Sequence, residues 1–220
     1  MLIKELRLHT KHLLSLYYFY KDLLQLPVIQ IKNQIIVSAG ETKLIFDEIS
    51  DAAAPFYHFA FNIPSNKFEE ALYWIESKVA LLWLEDYKCF IADFVNWHAK
   101  SFYFKDPAGN ILEMIVRFDL NDKADSPFFS GHIRQISEIG IVFSTDTFDK
   151  EINTFMDKYS LSYFDKHPPL PYFRAIGNDE GLFIAVPENR IWFSTKNDAA
   201  KKFFIEVFFI QNDKQYHLKM

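Results

Sequence analysis

The side chains with chemical potential in this chain are carboxylates and imidazoles set into apolar strands, and Glu113 stands out among them. It lies in ILEMIV, where Ile111, Glu113 and Ile115 share one strand face and Leu112, Met114 and Val116 share the other. Both faces are otherwise apolar, and an ionised, unpaired carboxylate there would cost several kcal/mol, so Glu113 must meet a cation, hydrogen-bond donors or water. Either Ile111 and Ile115 line a wet groove, or Glu113 pairs with an arginine such as Arg117. In YHFAF, His58 shares a face with Ala60 and Asn62 while Tyr57, Phe59 and Phe61 fill the other. Such a histidine is either a hydrogen-bonded core residue or a ligand. In the first strand Glu5, Arg7 and His9 alternate with Leu6, Leu8 and Thr10, giving one polar face. Glu5 can pair with Arg7 or Arg117 across a wet cleft. Arg7 and His9 suit an anionic substrate, although surface packing explains them equally well. Trp97 and His98 can overhang a cleft, with packing as the alternative for Trp97.

The elements that must position these groups recur in one order. After the first strand, Leu13, Leu16, Tyr17, Tyr20 and Leu24 follow three- and four-residue steps, predicting a helix from Lys11 to Leu24, stopped near Pro27. Strands follow at Val28 to Lys32, Gln34 to Ser38 and Lys43 to Phe46. A second copy reads as a strand at Tyr57 to Ile63, a helix from Ser65 to Glu76 capped by Ser65 or Asn66, and strands at Phe90 to Phe94, Phe102 to Phe104 and Ile111 to Phe118. Between the last two, Asp106, Pro107, Gly109 and Asn110 specify a tight turn. A third, looser copy begins at Ile136 to Ser144, continues with a helix from Asp146 to Lys158, and adds strands at Leu161 to Phe164, Phe173 to Ile176, Leu182 to Val186 and Phe203 to Phe209. The fold class is therefore α+β: paired βαβββ modules forming a curved mixed-sheet cleft over residues 1–118, a linker at 119–134, and a third βαβββ-like module at 135–220.

With 220 residues, half of them hydrophobic, the chain can bury a substantial core. A net charge of −5 without a basic run argues against nucleic acid. Lys4, Glu5 and Arg7 interrupt any signal-peptide pattern, and no apolar stretch approaches a membrane span, so no membrane association is expected. The single Cys89 fits a reducing compartment, and a cytoplasmic location is expected. The 24 phenylalanines read as an aromatic sheet core, and Phe203, Phe204, Phe208 and Phe209 are assigned no chemistry.

The paired modules, FYKDLLQL at Phe19 to Leu26, YHFAF at Tyr57 to Phe61 and KDPAGNILEMI at Lys105 to Ile115 together resemble the vicinal oxygen chelate superfamily. This superfamily includes glyoxalase I, bleomycin and fosfomycin resistance proteins, methylmalonyl-CoA epimerase and extradiol dioxygenases. The resemblance covers residues 1–118 and implies a cleft whose metal ligands come from the first and last strands of each module. Transferred position by position, it puts His58 and Glu113 at ligand positions, Glu5 where a His or Gln usually stands, and apolar Leu44 or Phe46 where glyoxalases commonly carry Glu. Glu5, His58 and Glu113 would be enough to hold a divalent ion, nickel, zinc, manganese or iron, with positions open for substrate oxygens. Glu113 and Glu5 are then the candidate proton-transfer groups, and Arg7, His9, Trp97 and His98 the candidate substrate contacts. A facial triad of two histidines and one carboxylate is not matched, which weakens an iron oxygenase reading.

The third copy has Glu138 in the place that Glu5 occupies in the first, but no histidine follows, and no second metal site is expected there. That copy is expected to cover a sheet edge or to contact another subunit through a symmetric surface, as in a homodimer. The expectation is a glyoxalase-like metalloprotein acting on a small oxygenated substrate as a lyase, isomerase or dioxygenase; the rival is a metal-free binding or resistance protein using the same cleft.

Overall fold

The computed structural model describes residues 1–50 and 53–220. The first module comprises β1 (Leu2–Thr10), α1 (Leu13–Tyr18), β2 (Val28–Ile31), β3 (Gln34–Ala39) and β4 (Thr42–Glu48). The second comprises β5 (His58–Asn62), α2 (Phe68–Glu76), β6 (Ile91–Phe94), β7 (Ala99–Lys105) and β8 (Ile111–Arg117). The rest of the chain supplies β9 (Gln135–Phe143), α3 (Phe148–Tyr159), β10 (Arg174–Asn178), β11 (Gly181–Pro187), β12 (Ile205–Gln211) and β13 (Lys214–Lys219).

Local chemistry accounts for where the elements start and stop. The first helix widens into a π-helical turn over Phe19–Leu23, and Gln25 at φ 54° ends the run ahead of Pro27. The second starts later than its sequence signals, because Ser65 and Asn66 bond elsewhere. Ser65 Oγ donates to the Asp122 carbonyl at 2.8 Å, and the Asn66 amide exchanges bonds with Ala124 at 2.9 and 3.0 Å. These contacts pin the 119–134 segment against the second module. The third helix buries Phe148, Ile152, Phe155 and Tyr159, one stripe at helical spacing.

In each module the first strand lies parallel to the last: β1 to β4, β5 to β8, and β9 to β11. The modules then join in a way the sequence order does not suggest. A six-stranded sheet runs β13-β12-β1-β4-β3-β2, and a seven-stranded sheet runs β10-β11-β9-β5-β8-β7-β6. The second module therefore pairs edge to edge with the third, through antiparallel β5 and β9. The first module shares its sheet with β12 and β13. Phe203 to Phe209, expected as the closing strand of the third copy, thus serves the other sheet as β12. Its buried residues Ile205 and Val207 pair with Leu8 and Leu6 of β1, where both partners lose water together. No strand forms at Leu161 to Phe164, where Tyr163 makes only an isolated bridge to Ile176.

An aromatic core fills the space between the sheets. Phe183 of β11 meets Phe209 of β12 with ring centres 5.2 Å apart, and Phe155 of α3 meets Phe183 at the same separation. The other face of the seven-stranded sheet carries a second buried cluster including Ala60, Ile111, Ile115, Leu182 and Ile184. On that face the chemistry collects.

Candidate metal centre

Three of the buried polar residues on this face converge. Nitrogen or oxygen atoms of His58, Glu113 and Glu138 all lie within 4.8 Å of one another. Strand register brings them together: Ala60 of β5 pairs with Glu113 of β8 on one side and with Glu138 of β9 on the other. Two carboxylates thus flank the strand that carries His58, and all three side chains point to one face.

Each group is held by its surroundings. His58 Nδ1 lies 3.2 Å from the Ile111 carbonyl oxygen, a contact that only an N–H can make, so Nδ1 donates and Nε2 presents a lone pair. That Nε2 is 3.6 Å from Glu113 Oε2, too far for a hydrogen bond. Burial pushes the imidazole down to about 4, so it is neutral at physiological pH. Glu138 is bonded through Oε1 to the guanidinium of Arg117. Arg117 is itself fully buried, with its guanidinium over the rings of Trp97 and Phe164 and Asp179 at 3.8 Å. Among the described residues no cation is bonded to Glu113. Burial and the neighbouring Glu138 charge hold its carboxyl well above the usual range, with Ser101 and Tyr103 opposing. Burial raises Glu138 too, but Arg117 favours its ionised form, so of the two Glu113 is the one that keeps a proton.

The triad sits in the floor of a cavity of about 410 Å³, the size of a small-molecule site. Its walls are aromatic, with Trp97 from the turn after β6, Tyr103 from β7, and Trp192 and Phe193 from the segment after β11. Trp192 lies 5.3 Å from the His58 ring, and Phe193 meets Tyr103 at 5.9 Å.

The sequence-derived candidates divide. His58 and Glu113 are brought together as expected, and Trp97 lines the cavity. Glu5 lies on β1 in the six-stranded sheet, paired in register with Lys43 and Phe208, and is not brought to His58. Arg7 pairs with Asp47 at 3.3 Å and Glu206 at 3.6 Å on that same sheet. His9 stacks on Phe204 with centroids 4.1 Å apart. His98 takes a left-handed turn conformation and bonds Asp119 at 2.6 Å; like Arg7 and His9 it is outside the cavity lining. The physical reason for the Glu5 correction is the module pairing: β5 takes β9 as its neighbour, so Glu138 stands beside His58 where Glu5 was expected. The third copy thus contributes one residue, Glu138, to the same site.

The register also locates the fourth position. His58 pairs with Ile111, two residues before Glu113, while Glu138 pairs with Leu182, two residues before Ile184. Glu138 is thus the counterpart of His58, and Ile184 the counterpart of Glu113. Three positions carry ligand-type side chains and the fourth is apolar.

No family model matches the sequence, and no curated protein matches it. Among solved structures, a candidate dioxygenase from Bacillus subtilis aligns with 100% of this chain and 84% of its own, with a TM-score of 0.61 and 11% identity. Lactoylglutathione lyase from Agrobacterium tumefaciens aligns with 52% of this chain and 92% of its own at 21% identity and a TM-score of 0.43. A fosfomycin resistance protein from Listeria monocytogenes aligns with 50% of this chain and 88% of its own at 18% identity and a TM-score of 0.39. The whole-chain likeness, with the repeated βαβββ order, gives this protein the vicinal oxygen chelate fold. No described helix is long and apolar enough to cross a membrane.

Proposed function

We propose that His58, Glu113 and Glu138 hold a divalent metal ion and that the protein is a metal-dependent enzyme acting on a small oxygenated substrate. The observation that carries this reading is the convergence of one imidazole and two carboxylates within 4.8 Å on a buried cavity floor. The donor set fits such an ion. One nitrogen lone pair is fixed by a backbone carbonyl, one carboxylate is oriented by an arginine, and a second carboxylate lacks a cation of its own. When bound, the ion would supply Lewis-acid polarisation of substrate oxygens.

The chain's own groups perform the remaining work. Arg117 holds Glu138 in place, and the aromatic walls exclude water from the floor of the cavity. Ionised when it holds the ion, Glu113 would take a proton from the substrate and return it, the role that isomerisation or elimination beside a carbonyl requires. One histidine with two carboxylates differs from the two-histidine set of iron oxygenases, so proton transfer is favoured over oxygen chemistry. The apolar Ile184 at the fourth position supports the rival reading of a metal-free binding protein.

Elemental analysis of untagged protein, incubated in turn with nickel, zinc, manganese and ferrous iron, separates the two. Wild type and Glu5→Gln should carry near-stoichiometric metal, while His58→Ala, Glu113→Gln and Glu138→Gln should lose it. No metal in wild type, or equal content in all variants, would sink the metal centre and leave the binding-protein reading.

A further inference from the structure

The cavity lining carries a cation with no counter-charge among the described residues. Arg190 is more than half buried, lines the cavity, and has its guanidinium carbon over the Phe173 ring at 5.4 Å from the centroid. A ring satisfies none of its five N–H donors. Among the described residues no carboxylate lies within ion-pair distance of it, whereas two lining carboxylates have cations of their own: Asp93 pairs with Lys100 at 3.4 Å and Glu138 with Arg117.

A second donor stands beside it. The Trp97 indole N–H donates to His167 Nδ1 at 3.1 Å. Since an indole can only donate, Nδ1 is the acceptor and the neutral imidazole carries its proton on Nε2. That Nε2 is buried without a partner. The His167 ring lies 5.1 Å from Phe173, the same ring that Arg190 covers, so both donors sit on one wall. Beyond them the cavity is lined by Phe94, Trp97, Trp192 and Phe193.

We infer that the cavity takes a planar aromatic carboxylate, its carboxylate seated on Arg190 and the His167 N–H and its ring held among the surrounding aromatic side chains. One unpaired guanidinium matches one negative charge, and its planar fork suits a carboxylate. A phosphate dianion would leave a buried charge unmatched. The inference deepens the reading of the cavity as a substrate site, but its seat is separate from the metal ligands and can be tested without metal.

Chelator-treated protein is titrated by calorimetry with 2-naphthoate and with its neutral analogue 2-naphthalenemethanol, neither of which chelates through vicinal oxygens. Wild type should bind the acid at least about tenfold more tightly than the alcohol, as expected for a charge-assisted bond in a partly buried site. Arg190→Gln should abolish this preference with the alcohol's affinity unchanged, Arg190→Lys should retain part of it, and Glu5→Gln, on the other sheet, should keep it. Equal affinities in wild type, binding of neither compound, or a preference that survives in Arg190→Gln would overturn the inference. The wild-type ratio decides even if a variant misfolds. A protein that holds metal but shows no acid preference loses only this inference. One that prefers the acid but holds no metal loses only the metal centre.

Discussion

Glu138 shows how far a single side chain can depend on its partner. Its bond to Arg117 lies where both residues are almost wholly out of water. Removing one partner of such a pair strands the other charge, at a cost of about 3–5 kcal/mol, whereas replacing both by apolar groups is often close to neutral. Arg117→Met in metal-free protein is therefore expected to lower unfolding free energy by about 3–5 kcal/mol. Arg117→Met combined with Glu138→Leu should recover most of that loss. Urea denaturation of both variants and wild type measures the difference. A double variant as unstable as the single one would mean that Arg117 acts through its packing on Trp97 and Phe164 and not through Glu138.

At the scale of elements, the β7–β8 hairpin is the best-specified piece. Asp106 Oδ1 accepts from the backbone N–H groups of Ala108 at 2.9 Å and Asn110 at 3.0 Å. Its Oδ2 accepts from the Tyr20 hydroxyl at 2.9 Å and the Asn110 amide at 2.8 Å. Gly109 supplies the left-handed position at φ 84°. Burial nonetheless pushes the Asp106 carboxyl up to about 6, against these four bonds. Between the unfolded value near 4 and the folded value, the native state binds a proton that the unfolded state has released, so this group's contribution falls as pH rises. The contribution should drop by about 2 kcal/mol from pH 4 to pH 6. Asp106→Asn should flatten that slope, as melting curves across this range would reveal; an unchanged slope would place the titration elsewhere. A second element, β9, touches the site through Gly140, where an added Cβ would lie 2.4 Å from Trp192 Cη2. Gly140→Ala should thus displace Trp192 from His58 and cost about 1–3 kcal/mol, as overpacking does. An unaltered near-ultraviolet tryptophan signal would contradict this.

The hairpin was legible because its turn residues act locally, and so were β5 and β8, whose one-sided polar residues break an apolar run. His58 and Glu113 followed from them. Glu138 could be seen as the counterpart of Glu5 in a strand of the right kind, yet nothing along the chain says whether β5 takes β1 or β9 as its neighbour. That choice is made by buried faces meeting across long sequence distances. Arg190, Trp192 and Phe193 left no signal either, because the stretch between β11 and β12 has no periodicity to read. The strand β13 was missed because only Leu218 in it is buried, leaving no alternation of apolar residues.

For the molecule as a whole, the cross-module pairing means that no half of the chain owns a complete sheet. The edge of β1 is covered by β12, and the edge of β5 by β9, so residues 1–118 alone would expose the backbone donors and acceptors of two inner strands. They would also lose the Phe183 and Phe209 rings that close the aromatic core between the sheets. The resemblance to glyoxalases over that segment would suggest an independent domain, but the site argues otherwise, since one of its three ligand-type residues lies at position 138. A fragment of residues 1–118 is expected to self-associate through the bared edges, as two exposed strands next to apolar surface do, and to hold no metal. Sedimentation equilibrium and elemental analysis of that fragment test both points. A folded monomer would show that the first two modules can close their own sheet, with β1 taking the place of β9; metal bound to it would return Glu5 to the side of His58.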